Sequence, residues 1–309
     1  LVSSNFHHWQ IFPSSLSTPY PDRVLARDHR KLNLKIKRDF APLVIDNRLG
    51  KRLIANLVWY RSDVMTEVTV EIDAIIARAR KAQQAYEATG NQERFDSAAK
   101  AAAWALMEPS RNSELAAFAV AETGLGNVDD KITKNHRKTL GLLRDINGKT
   151  SYGMICDDEK SGVSEFLRPK GVIAAVVPST NPLATPINNV VNALKTGNAI
   201  ILAPSPKGAA PLARLLEYIH SEFDQIGLDH DLVQMVPNPP SKEKTARLMQ
   251  GVDMLVVTGS QSNVRSAYSS GTPALGVGMG NVVTIVDETA NLNDAAHKIS
   301  RSKCFDNAT

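Results

Sequence analysis

Cysteine is scarce: the 309 residues hold 2, Cys156 and Cys304. Two thiols make neither a disulfide framework nor a four-ligand zinc site, and such usage points to a reducing, cytoplasmic setting. Long apolar runs are missing as well. The longest, near Gly171–Val177, is strand-sized and falls far short of the ~18 residues of a membrane span, so no membrane partner is expected. The seven histidines are scattered without metal-ligand spacing, and no metal is expected. What is present is core material: 43% hydrophobic against 22% charged residues excludes wholesale disorder and collagen-like structure. The length accommodates two ordinary domains.

The isoelectric point near 9.0 suggests nucleic acid only until the charge is located. Residues 1–64 carry 11 of the 36 Lys and Arg and 5 of the 32 Asp and Glu, leaving 25 basic against 27 acidic groups in the remainder. The main body is therefore near neutral, and no nucleic-acid partner is expected there. Residues 1–64 read as a basic leader outside the fold. They open at Leu1, run through His7-His8-Trp9 and the patch Arg30–Arg38, and lack the apolar segment of a secretory signal. The texture changes at Met65-Thr66-Glu67-Val68, and Met65 is expected to be the natural start, with a family-specific arm as the alternative.

From Met65 the chain reads first as helices. Ile72, Ile75, Ile76 and Ala79 recur at helical spacing, and Phe95, Ala99, Ala102 and Leu106 do so until Pro109 stops the run. Further helices are expected over Ser113–Thr123 and Asp129–Arg144. Lys149–Ile155 and Gly162–Arg168 read as a long hairpin, with Cys156 in its turn. After Gly171 short β-branched strands alternate with helices. Strands are expected at Val172–Val177, Ala199–Ala203, Leu232–Val236, Met254–Val257, Ala274–Gly276 and Val282–Val286, and helices at Ala184–Lys195, Lys207–Gln225, Lys242–Gln250 and Asn263–Ser269. That rhythm predicts an α/β fold around a parallel sheet covered on both faces, with ligands at the carboxyl ends of the strands.

Four strand ends are the informative places. Val177-Pro178-Ser179-Thr180-Asn181-Pro182 is a tight loop feeding a helix, in which Asn181 is either a cap or an amide donor to a developing oxyanion. Leu202-Ala203-Pro204-Ser205-Pro206-Lys207 frames a serine with prolines. In Val257-Thr258-Gly259-Ser260 the glycine permits close backbone approach, and the serine either caps the next helix or holds a phosphate. Gly276-Val277-Gly278-Met279-Gly280-Asn281 is glycine-rich but lacks the G-x-G-x-x-G spacing.

In order, Pro178–Pro182, Ala193-Leu194-Lys195-Thr196-Gly197-Asn198 with Pro204-Ser205, and Thr258-Gly259-Ser260 resemble the aldehyde dehydrogenase superfamily. The stretch Ala267–Gly278 is similar to its CoA-acylating branch, and Ser302-Lys303-Cys304-Phe305-Asp306-Asn307-Ala308-Thr309 resembles the segment leading to the catalytic cysteine, with a wording close to sulfoacetaldehyde dehydrogenases. The resemblance covers about Met65 to Thr309. It implies a Rossmann-like doubly wound sheet that binds NAD or NADP, residues 65–286, and the start of a mostly absent catalytic domain, residues 287–309. It also implies that the hairpin 149–168 is an arm joining subunits of a homo-oligomer. The implied chemistry is oxidation of a small-molecule aldehyde through a cysteine thiohemiacetal and thioester. Asn181 matches the oxyanion donor, Ser179 and Thr180 lie beside the nicotinamide, Ser205 falls near the adenosine ribose, and Gly259 and Ser260 match the pyrophosphate turn; Val277 and Gly278 join the cofactor-binding set.

Two departures matter. Hydrolytic relatives carry a glutamate in the segment matching Leu275-Gly276-Val277, and Gly276 stands there instead, which favours transfer to coenzyme A over release of a free acid. The ribose-binding lysine and glutamate of many relatives match Ala203 and Pro206, leaving NAD against NADP open, with Lys207 able to pair a 2′-phosphate. The family's nucleophile falls two positions past Thr309, so this chain alone is expected to be inactive, and Cys156 and Cys304 are ordinary thiols. The alternatives are a non-acylating aldehyde dehydrogenase and a nucleotide-binding pseudoenzyme or assembly subunit. The codons after Thr309 separate the latter: a stop supports it, whereas Ser-Cys restores the family pattern.

Overall fold

The computed structural model describes residues 66–309 apart from Met279 and Asn281. The leader 1–64 and the start at Met65 lie outside the described residues. Four helices come first. Helix α1, Glu67–Ala88, is capped by Thr66, whose hydroxyl accepts the Thr69 N–H at 3.1 Å. Its buried residues, Ile72, Ile75, Ile76, Ala79, Ala82 and Tyr86, fall on one stripe at helical period. Helix α2, Gln92–Met107, buries Phe95 and an alanine-rich face that lets neighbouring helices approach. Helix α3 spans Pro109–Thr123 and α4 Val128–Ile146. Pro109 thus opens a helix as well as closing the previous run. A proline at the first position forfeits an N–H that has no partner there anyway, and the Glu108 carboxylate takes the N–H groups of Ser110 and Arg111.

The hairpin is shifted from its expected register. Its strands are β1, Gly153–Asp158, and β2, Val163–Leu167, so Cys156 lies within β1 and not in the turn. Asp158 makes the turn by accepting from the Lys160 N–H and the Ser161 hydroxyl.

The main sheet is β3 Val172–Val177, β4 Ala199–Pro204, β5 Val233–Met235, β6 Met254–Thr258 and β7 Ala274–Val277. It is parallel throughout in the order β5-β4-β3-β6-β7. Its connecting helices are α5 Ala184–Lys195, α6 Ala209–Ile226, α7 Lys242–Gly251 and α8 Gln261–Tyr268, and α9, Leu292–Cys304, follows the sheet. Helices α1 and α7 pack together on one face, while α2 stacks on α5 and α6 outside the other. Every residue of β3 and β4 is buried, as expected for strands covered on both sides. Successive strands are added toward one edge from β3 to β5 and toward the other from β6 to β7, so the order switches between β3 and β6, the point at which ligands of such sheets bind.

One expected strand is absent. Residues 282–286 form no strand among the described residues, and Val283 and Ile285 are 80% and 89% exposed. β-branched composition favours extended backbone, but a ladder needs a partner, and none of the described strands pairs with it. Among the described residues no helix is long and apolar enough to cross a membrane.

Candidate active site

The strand registers set the site. Val177 pairs with Pro204, Val176 with Val257 and Thr258 with Val277, so the ends of β3, β4, β6 and β7 stand in a row. The loops bearing the residues singled out from sequence all leave that edge.

The loops after β3 and β4 touch. A Cβ on Gly208 would lie 3.2 Å from both the Pro182 Cβ and the Ser205 Oγ, and 4.0 Å from the Ser179 Cα. A side chain there would crowd this approach. The Ser205 Oγ is buried without a hydrogen-bond partner, and an unpaired buried hydroxyl is costly unless a ligand completes it. Lys207 is exposed on the short 3-10 turn that follows. On the other side of β3 the Gly259 N–H donates to the Val277 carbonyl at 3.1 Å. A Cβ on Gly278 would come 3.1 Å from the Gln261 side chain, so the two glycine-containing ends nest against each other. Ser260 caps α8, its hydroxyl accepting the Asn263 N–H at 3.3 Å, and leaves the first-turn amides of that helix for an anion. An orphaned hydroxyl on one side and a helix N-terminus on the other fit the ribose and phosphates of a dinucleotide.

Asn181 sits half-buried between β3 and α5, and its side-chain amide has no hydrogen-bond partner among the described residues. It does not cap α5, which begins without a side-chain cap. The structure therefore does not show Asn181 as a helix cap. Ser179 is half-buried and Thr180 exposed on the same loop.

Gly276 answers why no carboxylate stands in β7. A Cβ there would meet the Val264 Cγ1 at 2.7 Å and the Tyr268 Cε2 at 3.0 Å, and its N–H donates to the Tyr268 hydroxyl at 3.1 Å. Helix α8 therefore occupies the space a side chain would need.

Other residues of the resembling segments turn out to be structural. Asn198 lies at the start of β4, at the far end of the sheet, where its Oδ1 accepts the N–H groups of Lys170 and Gly171 at 2.6 and 2.9 Å. The buried Lys195 ammonium pairs with Asp96.

The sequence reading passed over one polar cluster. Asp306 is fully buried, 3.1 Å from the Lys131 ammonium and also paired with Lys134. Lys131 reaches the Thr180 carbonyl at 3.5 Å. Burial pushes the Lys131 ammonium below its usual range, with Asp306 opposing. Nothing local in the sequence signals the cluster, because Asp306 lies 175 and 172 residues from its two lysines. An open cleft of about 710 Å³ beside α4 and α9, lined by Arg137, Lys298 and Arg301, contains none of the residues expected from sequence.

The geometry is that of a parallel α/β sheet whose switch-point edge carries the buried Ser205 hydroxyl and the half-buried Asn181. The sequence profile of the aldehyde dehydrogenase family matches residues 61–308, and the chain belongs to that family. It is 60% identical over 238 residues to an acylating sulfoacetaldehyde dehydrogenase of Cupriavidus necator, covering 77% of this chain and 48% of the relative. Among solved structures it resembles an acetylating aldehyde dehydrogenase from Geobacillus thermoglucosidasius, with a TM-score of 0.73 and 34% identity over 79% of this chain and 54% of that one. It also resembles a propionaldehyde dehydrogenase of Rhodopseudomonas palustris bearing bound CoA and an acylated cysteine, with a TM-score of 0.66 and 29% identity over 76% and 53% of the two chains. The chain spans about half the length of the relatives it matches.

Proposed function

We propose that this chain is the cofactor-binding part of a CoA-acylating aldehyde dehydrogenase, with sulfoacetaldehyde as the aldehyde. The observation that carries the reading is the closed space at Gly276, with the half-buried Asn181 at the end of β3 in the same row of strand ends. Asn181 donates to the oxygen that becomes negative when a thiolate adds to the aldehyde, a position where a fixed donor lowers the barrier. No base fits at Gly276 to activate water, so the resulting thioester is left for a thiol, which needs less activation. The aldehyde rests on the likeness to the Cupriavidus enzyme.

A nicotinamide dinucleotide supplies the hydride acceptor. Ser205 holds its adenosine ribose, the α8 N-terminus with Gly259 takes the pyrophosphate, and Ser179, Thr180, Val277 and Gly278 line the remaining path. Lys207 favours NADP over NAD by facing a 2′-phosphate. In this reading residues 65–286 form the cofactor domain and 287–309 open the catalytic domain. The hairpin joins subunits of a homo-oligomer, its apolar Met154, Ile155, Val163 and Phe166 being exposed. Both thiols are exposed, which suits a reducing cytoplasm.

The test has two parts. Calorimetric titration of the chain with NADP+ and NAD+ gives binding that Ser205→Ala weakens by up to about tenfold, the worth of one hydrogen bond, and Lys207→Ala weakens for NADP+ alone. In protein extended through the cysteine, NAD(P)H formation from sulfoacetaldehyde depends on CoA. Turnover indifferent to CoA would sink the acylating reading.

A further inference from the structure

Three consecutive residues other than glycine, Asp306, Asn307 and Ala308, have φ of 51°, 54° and 63°. Left-handed backbone is unfavourable for such residues and persists only where the surroundings impose it. The surroundings here are specific. The Asp306 carboxylate enters the N-terminus of α4, accepting the Asn127 N–H at 3.1 Å and both lysine ammoniums, and the Asp306 N–H donates to the Asp130 carboxylate at 2.8 Å. An anion is favoured at that end of a helix. Gly126 makes the seat possible, since a Cβ there would lie 1.9 Å from the Asp306 Oδ1. The lysines then extend the cluster in two directions. Lys131 reaches the Thr180 carbonyl at 3.5 Å, next to Asn181, and Lys134 reaches the Thr309 carbonyl at 3.3 Å.

We infer that Asp306, Lys131 and Lys134 form a positioning device that ties the left-handed turn Asp306–Ala308 to the Asn181 loop, fixing the Thr180 carbonyl next to the oxyanion donor. The inference rests on the reading of Asn181 given above. The three residues are positioning residues: none is placed to touch substrate. Two buried cations on one carboxylate give the device its rigidity, because removing the carboxylate leaves both charges uncompensated.

The experiment measures the distance between spin labels at Thr180→Cys and Thr309→Cys, in a chain carrying Cys156→Ser and Cys304→Ser. A second label pair, Ser113→Cys and Glu217→Cys, reports on the packing of α3 against α6 as a control. No nucleotide is present, so failure of the cofactor reading would show in the titration and not here. The parent chain is expected to give a single narrow 180–309 distance. Asp306→Asn, by removing the charge, and Gly126→Ala, by filling the seat, are both expected to lose it to a broad distribution while the control pair stays narrow. If a variant also broadens the control, Lys134→Met, which leaves Lys131 on the carboxylate, takes its place. A broad distribution in the parent, a narrow one surviving both variants, or loss of the control in all three variants overturns the assignment.

Discussion

Strands β3 and β4 and the hairpin strands β1 and β2 all carry large apolar side chains and end in opposite situations. All twelve residues of β3 and β4 are buried, whereas no residue of β1 or β2 is. Propensity alone does not set the difference: Met154, Ile155, Val163 and Phe166 are as apolar as the sheet's residues yet exposed. In the sheet, helices cover both faces, and each fully buried Val, Leu or Ile contributes ~1.5–3 kcal/mol. The hairpin has a ladder but nothing on its faces, and two strands alone are marginal in water. Stability therefore belongs to the sheet, and the hairpin's apolar side chains are surface available to a partner.

The sharpest way to break the contrast is to hollow the covered side. Phe95 is fully buried, with ring centroids 4.7 Å from Tyr86 and 5.1 Å from Tyr152, and it fills the space left by Gly90 and Gly197. Phe95→Ala is expected to cost ~3–5 kcal/mol in urea unfolding. A loss below ~1 kcal/mol would mean that α2 is not fastened to the sheet as described.

The same contrast explains what was legible. Strands β3, β4 and β6 were located to within a residue because short apolar runs bounded by glycine, proline or small polar residues are too short for helices and suit covered strands. Asn181, Ser205 and Gly259 were singled out because a parallel sheet puts its ligands at strand ends, and all three do lie just past such ends. The hairpin slipped in register, since strands exposed on both faces have no alternation to fix them. Val282–Val286 was given a strand's composition but finds no partner among the described residues. The Asp306 cluster was not legible at all: its partners lie 172 and 175 residues away, and no local pattern announces a contact of that span.

A smaller effect comes from the covered side through pH. His220 on α6 bonds the Val233 carbonyl of β5 at 2.9 Å and stacks on His230 with centroids 4.3 Å apart. Burial, the leading cause, holds His220 below its ordinary value of 6.5, and the charge of His230 adds to this. The unfolded chain then binds the proton more readily than the folded one, so the imidazole's contribution is complete above pH 6.5 and is lost as pH falls through the lowered folded value. Unfolding free energies measured from pH 8 down to 5 are expected to decline less steeply in His220→Gln than in the parent. Parallel declines would assign the acid sensitivity to other groups.

The smallest effect on stability is expected from the hairpin, and there the informative quantity is association. Ile155 and Phe166 are 47% and 58% exposed in the chain alone, so replacing them removes little that folding buried. Ile155→Ser with Phe166→Ser is expected to change unfolding free energy by no more than ~0.5 kcal/mol, the range of ordinary surface substitutions. If the arm joins subunits, the same change removes the apolar part of an interface whose open strand edge is otherwise an invitation to pair. Sedimentation velocity should then show the parent's self-association weakened or lost while its melting curve stays in place. A drop in stability with association intact would mean that the hairpin packs on its own subunit and that its exposed face has a different use. The two quantities move independently only if the sheet carries the fold and the hairpin carries the contact between copies.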